Sequence, residues 1–569
     1  MLGNAQGNCL WNRIRGRASS ESVVKFPAPV PKTGVGAVLH WRNLPVYGYN
    51  SGAIVRAARN VRYGAVLSPG RVQMRVWAMG LACAMACAGL PAAAQLEGTH
   101  AKPLVSKLEF TSSDQRLVQG FDWASRQAMD YVFTGDPVGP WYEAALPGRE
   151  AFCMRDTAHQ SVGAQALGLS AWTLNMLRRF GENISASKQW CSYWEIDRFN
   201  EPSPADYESD TSFWYDLPAN FDVLDSAYRM YLWTGDPAYI DDPVLDNFYD
   251  RTMNEYVKRW ELSADKVMTR ERFPGPLTGA EQLTLEHGGQ IHLGIPGYDE
   301  GNHTFVVGID LLAVEYAAFR DYAAIERLRG NDAGATTAEA NATALKNLIN
   351  TTWWNPKDNT FYALLDQDHH LTGSDSQDVL YWNAVEPGPK MESAVKAMLM
   401  ANEHRNPCGV EGESHDAEIL YRYGQDNAAY GVLLDLTTPG HCRQEYPEVS
   451  YSVVGAITTG LMGINMVPVQ DREVETLPGL TDATTWAQLS NLPIGRNAVT
   501  IRHNGDRETV FTNQDGPALI WQAAFPGTFS QLLVNGKPMP AHNETQRRTA
   551  ISWVEVPVGA GDTVRVSAP

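Results

Sequence analysis

No run in the 569 residues reaches the roughly 18–20 consecutive apolar residues that a membrane span needs. Basic residues are also in short supply: 46 Lys and Arg face 65 Asp and Glu, for a net charge of −19. Phosphate binding needs a basic face, so no nucleic-acid partner is expected. Cysteine is sparse, at seven residues. What is present is 44% hydrophobic residues and 10% aromatic, with 17 Trp and 23 Tyr. That composition excludes a disordered, collagen-like or low-complexity chain and can bury a large core.

The first ninety-four residues read differently from the rest. Residues 1–73 are rich in Arg and Gly and lack amphipathic periodicity, and read as an unstructured upstream extension. Residues 74–94 run from Met74-Arg75 through AMGLACAMACAGL to Pro91-Ala92-Ala93-Ala94. A basic start, about a dozen apolar residues and a small-x-small site describe a signal peptide. The expectation is translation from Met74, cleavage after Ala94, and a periplasmic or secreted protein. The remaining 475 residues carry 35 Lys and Arg against 64 Asp and Glu, a net charge of −29. They keep four cysteines, Cys153, Cys191, Cys408 and Cys442. An even number outside the cytoplasm permits disulfides, and the sequence-local pairing joins Cys153 to Cys191 and Cys408 to Cys442. Four reduced, buried thiols are the alternative.

After a linker over 95–112, residues 113–466 read as about a dozen helices. Ser113-Asp114 precede QRLVQGFDWASRQAMDYVF, which ends at Thr134-Gly135-Asp136-Pro137. ANFDVLDSAYRMYLW ends at Thr234-Gly235-Asp236-Pro237, and the matching stops hint at a repeated helical hairpin. A short helical piece is counted near 186–196. Residues 467–569 change texture, with short alternating runs separated by Asn-Gly and Gly-Asp turns. These indicate a small C-terminal antiparallel β-sandwich. Twelve helices taken as six hairpins suggest a mainly α fold, an (α/α)6 toroid. An α-solenoid with a β-cap is the bland alternative. The long loops here are rich in Trp, Tyr, Asp and Glu, which favours a toroid with a functional mouth.

Four loop segments gather acids and aromatics. The first holds Trp141, Tyr142, Glu143, Arg149, Glu150, Arg155, Asp156 and His159. Flat aromatic rings suit sugar C–H groups, and the arginines pair with acids or a substrate carboxylate. Asp156 is placed to cap a helix, which lowers its pKa and suits orienting a sugar; mid-loop Glu150 is the better proton donor. The second segment carries Trp214, Asn220 and Asp222, the last as a first-turn acid. The third carries His287, His292, Tyr298, Asp299, Glu300 and His303 before a long helix. No HExxH accompanies these histidines, so neither metal nor cofactor is expected. The fourth carries Glu411, Glu413, Arg443, Glu445 and Tyr451, with Glu448 read as exposed surface. Glycoside hydrolysis needs one carboxyl to protonate the leaving oxygen and another to activate water. In a closed toroid the first and last hairpins are neighbours, so carboxylates from 143–156 and 411–448 can face one sugar.

On these residues the chain resembles the six-hairpin glycosidases, and within them the α-L-rhamnosidase type. Gly148-Arg149-Glu150 to Arg155-Asp156 is similar to that family's acidic motif at the start of an early helix. Phe221 to Asp236 resembles its helix ending in Thr-Gly-Asp. Arg443-Gln444-Glu445 resembles the segment of its general base, and Leu533-Val534-Asn535-Gly536 its final β-domain. The longer Arg-rich Trp-Gly-Asp motif is not reproduced; AFCMRD stands there. The resemblance implies Glu150 as general acid, Glu445 as general base, Asp156 as a sugar-orienting group, and inversion at the anomeric carbon. It implies an exported enzyme releasing a terminal sugar from oligo- or polysaccharide. The competing readings are a polysaccharide lyase using Tyr298, Asn302 and His303, and a non-catalytic sugar-binding protein. Sugar, linkage and oligomeric state stay open.

Overall fold

The computed structural model describes residues 106–271, 293–299, 305–406, 408–467 and 473–569. All lie within one compact unit, Pro91–Pro569. The expected upstream extension 1–73, the signal peptide 74–94, and Glu300 and His303 lie outside the described residues.

Fourteen α-helices occur among the described residues. The first seven are α1 Gln115–Asp130, α2 Met154–Ala166, α3 Ser170–Glu182, α4 Ala219–Thr234, α5 Ala238–Asp241, α6 Pro243–Asp250 and α7 Val257–Arg259. The second seven are α8 Ile309–Leu328, α9 Asp332–Thr351, α10 Gln377–Tyr381, α11 Pro389–Asn402, α12 Val410–Arg422, α13 Asp426–Leu436 and α14 Pro447–Ala456. A wider π turn, Arg251–Tyr256, joins α6 to α7, and another, Ile457–Leu461, prolongs α14.

Six of these helices pack in a sequence that closes on itself. α14 packs on α2, α2 on α4, α4 on α8, α8 on α10, α10 on α12, and α12 on α14. The others lie against this set: α1 on α14, α3 on α2, α9 on α8, α11 on α10 and α13 on α12. Sequence decides the layer. In α9 the buried Ala335, Ala338, Ala342, Leu345 and Ile349 recur at three- and four-residue spacing, one stripe of an otherwise polar helix. In α2 eleven residues are buried, on every side, so the helix has neighbours all round. Small residues make this possible. A Cβ on Gly163 of α2 would stand 2.0 Å from the Tyr451 carbonyl oxygen of α14, so only glycine fits where these helices meet.

The C-terminal region is sheet-rich. One sheet runs Glu109–Ser112, Trp486–Ile494, Asn497–Asn504, Glu508–Asp515, Thr563–Ser567, Gln531–Val534, Lys537–Pro540. The other runs Ile464–Val467, Glu473–Thr476, Leu519–Pro526, Thr549–Val558, His542–Gln546. Asn497–Asn504 alternates buried and half-buried residues, the period-two pattern of a strand with one covered face. Phe511 of the first sheet stacks on Trp521 of the second, 5.1 Å between centroids. Buried His503 ties strand to helix, through Thr509 Oγ1 at 2.8 Å and the Met462 carbonyl at 2.9 Å.

Several expectations are corrected. Residues 109–112, assigned to a linker, form a strand paired with Trp486–Ile494. Helix α1 stops at Asp130, because Val132–Phe133 pairs with Trp141–Tyr142. Its look-alike stop at Gly235 does end a helix, with φ 60° and its amide on the Tyr231 carbonyl. The two similar heptapeptides therefore adopt different local structures. The piece near 186–196 is turns leading into Glu195–Asp197, which pairs with Ala151–Cys153. Cys408 and Cys442 are bonded, whereas Cys153 and Cys191 are free and buried. No helix among the described residues is long and apolar enough to cross a membrane.

Candidate active site

Each of the six helices that pack in a closed sequence carries an acid in its first turn. These are Asp156 of α2, Asp222 of α4, Asp310 of α8, Asp378 of α10, Glu411 and Glu413 of α12, and Glu448 of α14. Free backbone N–H groups give a helix N-terminus about half a positive charge, which favours carboxylates there. Three of these acids, those of α2, α4 and α14, are knit into one buried cluster, and Asp310 and Asp378 lie beside it.

Glu448 is its hinge. Its Oε1 lies 2.9 Å from His415 Nε2 and 3.3 Å from His159 Nδ1. The other His159 nitrogen lies 3.5 Å from Asp222 Oδ1, which also accepts the Tyr298 hydroxyl at 2.6 Å. The Tyr446 hydroxyl donates to Asp156 Oδ2 at 2.9 Å. Arg155 stands 3.7 Å from Asp156 and donates to Asp216 Oδ2 at 3.2 Å, with its guanidinium over the Trp194 and Tyr298 rings. Tyr381 and Trp382 pack their rings against His159.

Electrostatics divide the two central carboxyls. Burial, helped by the Glu448 charge, raises Asp156 to about 7. Burial also works to raise Glu448, but His415 and His159 outweigh it and hold it well below the usual carboxylate range. Burial opposes the charge on His159, yet Asp222 and Glu448 carry its pKa to about 9. Asp156 therefore holds a proton near neutrality while Glu448 is ionised. A second group lies alongside: burial raises Asp310 to about 7, with Asp375 and Asp299 adding to it, and Asp378 is raised likewise. His159, His415 and Glu448 bring ligand atoms within 4.8 Å of one another. Protonated His159 has no lone pair to offer, so the trio can hold a cation only once that proton has left.

The sequence-derived residues divide sharply. Asp156, Arg155, His159 and Tyr298 are in the cluster, and exposed Asp299 adjoins it. Asp156 is not the cap: Cys153 is, and burial inside the first turn raises its pKa instead of lowering it. Glu150 is half exposed, at φ 54°, its side chain 3.1 Å from Arg198. Glu445 is exposed, and its carbonyl accepts the Tyr131 hydroxyl. Glu143 is buried and accepts the Glu150 amide at 3.1 Å, so it shapes the loop. Arg149 is bound to Glu195 and Asp206, Arg443 to Glu411, and Glu413 lies between Arg405 and His441.

The expected sugar-stacking rings are core. Trp141 donates to Asp136, Tyr142 meets Thr173, and Tyr451 donates to the Ala128 carbonyl. All three are fully buried. Trp214 is half-buried between short strands. Missed by sequence were Glu448, only 2% exposed where surface was expected, and Asp310, Asp378, Tyr381 and Trp382. A usable signal existed: an acid in the first turn of each helix of the closed packing sequence, as in Tyr446-Pro447-Glu448 and Gly308-Ile309-Asp310.

No family model matches the chain, and no curated protein does. Among solved structures, the α-L-rhamnosidase of Dictyoglumus thermophilum aligns over 82% of this chain and 51% of its own, at 13% identity and a TM-score of 0.50. The chain shares its fold with that α-L-rhamnosidase. The enzymes of Streptomyces avermitilis, solved with L-rhamnose, and Aspergillus terreus align at 14% identity each, with TM-scores of 0.48 and 0.47. They cover 83% and 81% of this chain, and 43% and 51% of their own. This chain thus spans about half the length of these α-L-rhamnosidases.

Proposed function

We propose that this protein is a glycoside hydrolase in which Asp156 is the proton donor and Glu448 the base. The observation that carries the reading is one buried cluster holding a carboxyl that keeps its proton near neutrality beside a carboxylate kept ionised by two imidazoles. Asp156 gives its proton to the glycosidic oxygen as the C–O bond breaks. Glu448 takes a proton from the water that attacks the anomeric carbon. Asp222 and Tyr298 hold His159, and His159 with His415 fixes Glu448. The closed packing order of α2, α4, α8, α10, α12 and α14 is read as the inner ring of an (α/α)6 toroid, with the two sheets as a β-sandwich. Within this reading the enzyme is exported, acts on a terminal sugar of an oligo- or polysaccharide, and inverts the anomeric centre. The fold shared with an α-L-rhamnosidase supports the substrate class.

Aryl and alkyl glycosides test it. Asp156→Asn and Glu448→Gln are each expected to lower kcat by about 10²–10⁴-fold. The Asp156→Asn loss should shrink on dinitrophenyl glycosides, whose leaving group needs no proton. Glu150→Gln and Glu445→Gln should stay near wild type. The assignment fails if the two rim variants are inactive while the two buried ones work. A product absorbing in the ultraviolet would mark elimination instead of hydrolysis.

A further inference from the structure

A cavity lies among the same helices, further along them from their N-termini. It has a volume of about 220 Å³ and is lined by Asp225, Arg229, Arg320, Tyr381, Trp382 and Arg422, among others. Arg229 follows Asp222 by seven residues on α4, and Arg422 follows His415 by seven on α12. At 1.5 Å per residue both lie roughly 10 Å further from the helix N-termini. Tyr381 and Trp382 form the partition, since the same two rings pack on His159.

The lining is rich in donors: three arginines, a phenol, an indole and the Asn383 amide beside the single carboxylate of Asp225. Arg229 is 2.7 Å from Asp225 through Nε, but its Nη2 is buried with no hydrogen-bond partner among the described residues. The Tyr381 hydroxyl and the Trp382 indole N–H are in the same state, on residues 6% and 4% exposed. Arg320 stands 2.9 Å from Asp321 and 3.7 Å from Asp225. Arg422 pairs with Glu418 at 2.5 Å and donates to the Tyr381 carbonyl. Three guanidiniums therefore face three carboxyls, and burial raises the Asp321 carboxyl, with neighbouring Asp225 adding to it.

Unsatisfied buried donors cost free energy, and neither guanidinium nor indole can accept a hydrogen bond. A neutral sugar needs acceptors, and Asp225 is already engaged by two arginines. A carboxylate offers two oxygens in one plane. A tetrahedral oxyanion offers acceptors in several directions, matching planar arginine forks, a phenol and an indole. We propose that this cavity binds a phosphate-type oxyanion, free or as the monoester of a small sugar. The proposal is independent of the glycosidase reading.

Titration of the full chain with inorganic phosphate, and separately with a hexose 6-phosphate, at constant ionic strength tests it. Calorimetry and tryptophan fluorescence are the readouts. Saturable one-to-one binding is expected, with a fluorescence change that disappears in Trp382→Phe. Arg320→Gln and Arg422→Gln should each weaken binding about tenfold or more. Arg422→Lys, which keeps charge but loses the fork, guards against misfolding and should also weaken it. Binding by the ester alone assigns the monoester, and binding by both the free anion. No saturable binding of either, or equal affinity in all arginine variants, overturns the proposal.

Discussion

Replacing Gly163 by alanine isolates the contact that closes the helical ring. An alanine Cβ would stand 2.0 Å from the Tyr451 carbonyl oxygen and 2.7 Å from its carbon. A close carbon–oxygen contact is about 3.3 Å, so α2 and α14 must separate by roughly 1 Å. Backbone, not a flexible side-chain end, is what stands in the way. Overpacking of this kind costs about 1–3 kcal/mol, while alanine regains about 1 kcal/mol of helix propensity over glycine. The expected net effect is destabilisation by up to about 2 kcal/mol. The same shift moves Asp156 on α2 away from Glu448 on α14, and 1 Å of misplacement lowers activity by about 10²-fold. Gly431 on α13 is the control, since an added Cβ there meets nothing within 4 Å. Gly431→Ala should stabilise by about 0.5–1 kcal/mol with unchanged kcat. Guanidinium denaturation midpoints and steady-state kinetics read both variants. If Gly163→Ala proves as stabilising and as active as Gly431→Ala, the reasoning about the seam is refuted.

Activity should fall as pH rises through about 7, where Asp156 gives up the proton it must donate, and should hold in moderate acid because Glu448 stays ionised; a kcat/KM profile checks both limbs. Burial lowers His503 to about 4 from 6.5. A histidine depressed in the folded state contributes stability that is present above pH 6.5 and lost as pH falls through about 4, on the order of 3 kcal/mol; denaturation midpoints against pH should show this loss, flattened in His503→Asn. Reducing Cys408–Cys442, which are 34 residues apart, should lower stability by about 3–4 kcal/mol, read as a midpoint shift with and without reductant.

Much of the organisation is local and was legible. Three- and four-residue spacing marked helices such as α9 and α13, and alternation marked Asn497–Asn504. Both periods are set by backbone geometry within one element. The stop at Gly235 was legible because a left-handed residue ends a helix wherever it occurs. Its twin at Gly135 misled because strand pairing between 132–133 and 141–142, a tertiary contact, ended α1 four residues earlier. Five-residue α10 escaped notice because one turn has no period to detect, yet it supplies Asp378 and Tyr381, and with Tyr381 part of the wall of the arginine-lined cavity.

The site shows the same division. Sequence alone determined that acids crowd certain loop ends and that Asp156 and His159 open a helix together. It could not choose among those acids, because pKa depends on burial and on neighbours far along the chain. Glu448 meets His159 across 289 positions and His415 across 33, and His159 meets Asp222 across 63. Glu150 looked suited to acid chemistry from its motif, and solvent with Arg198 surrounds it instead. Sequence set the elements and the stock of charge; only the closing of α14 onto α2 decided which carboxyl is dry enough to keep a proton and which is held ionised.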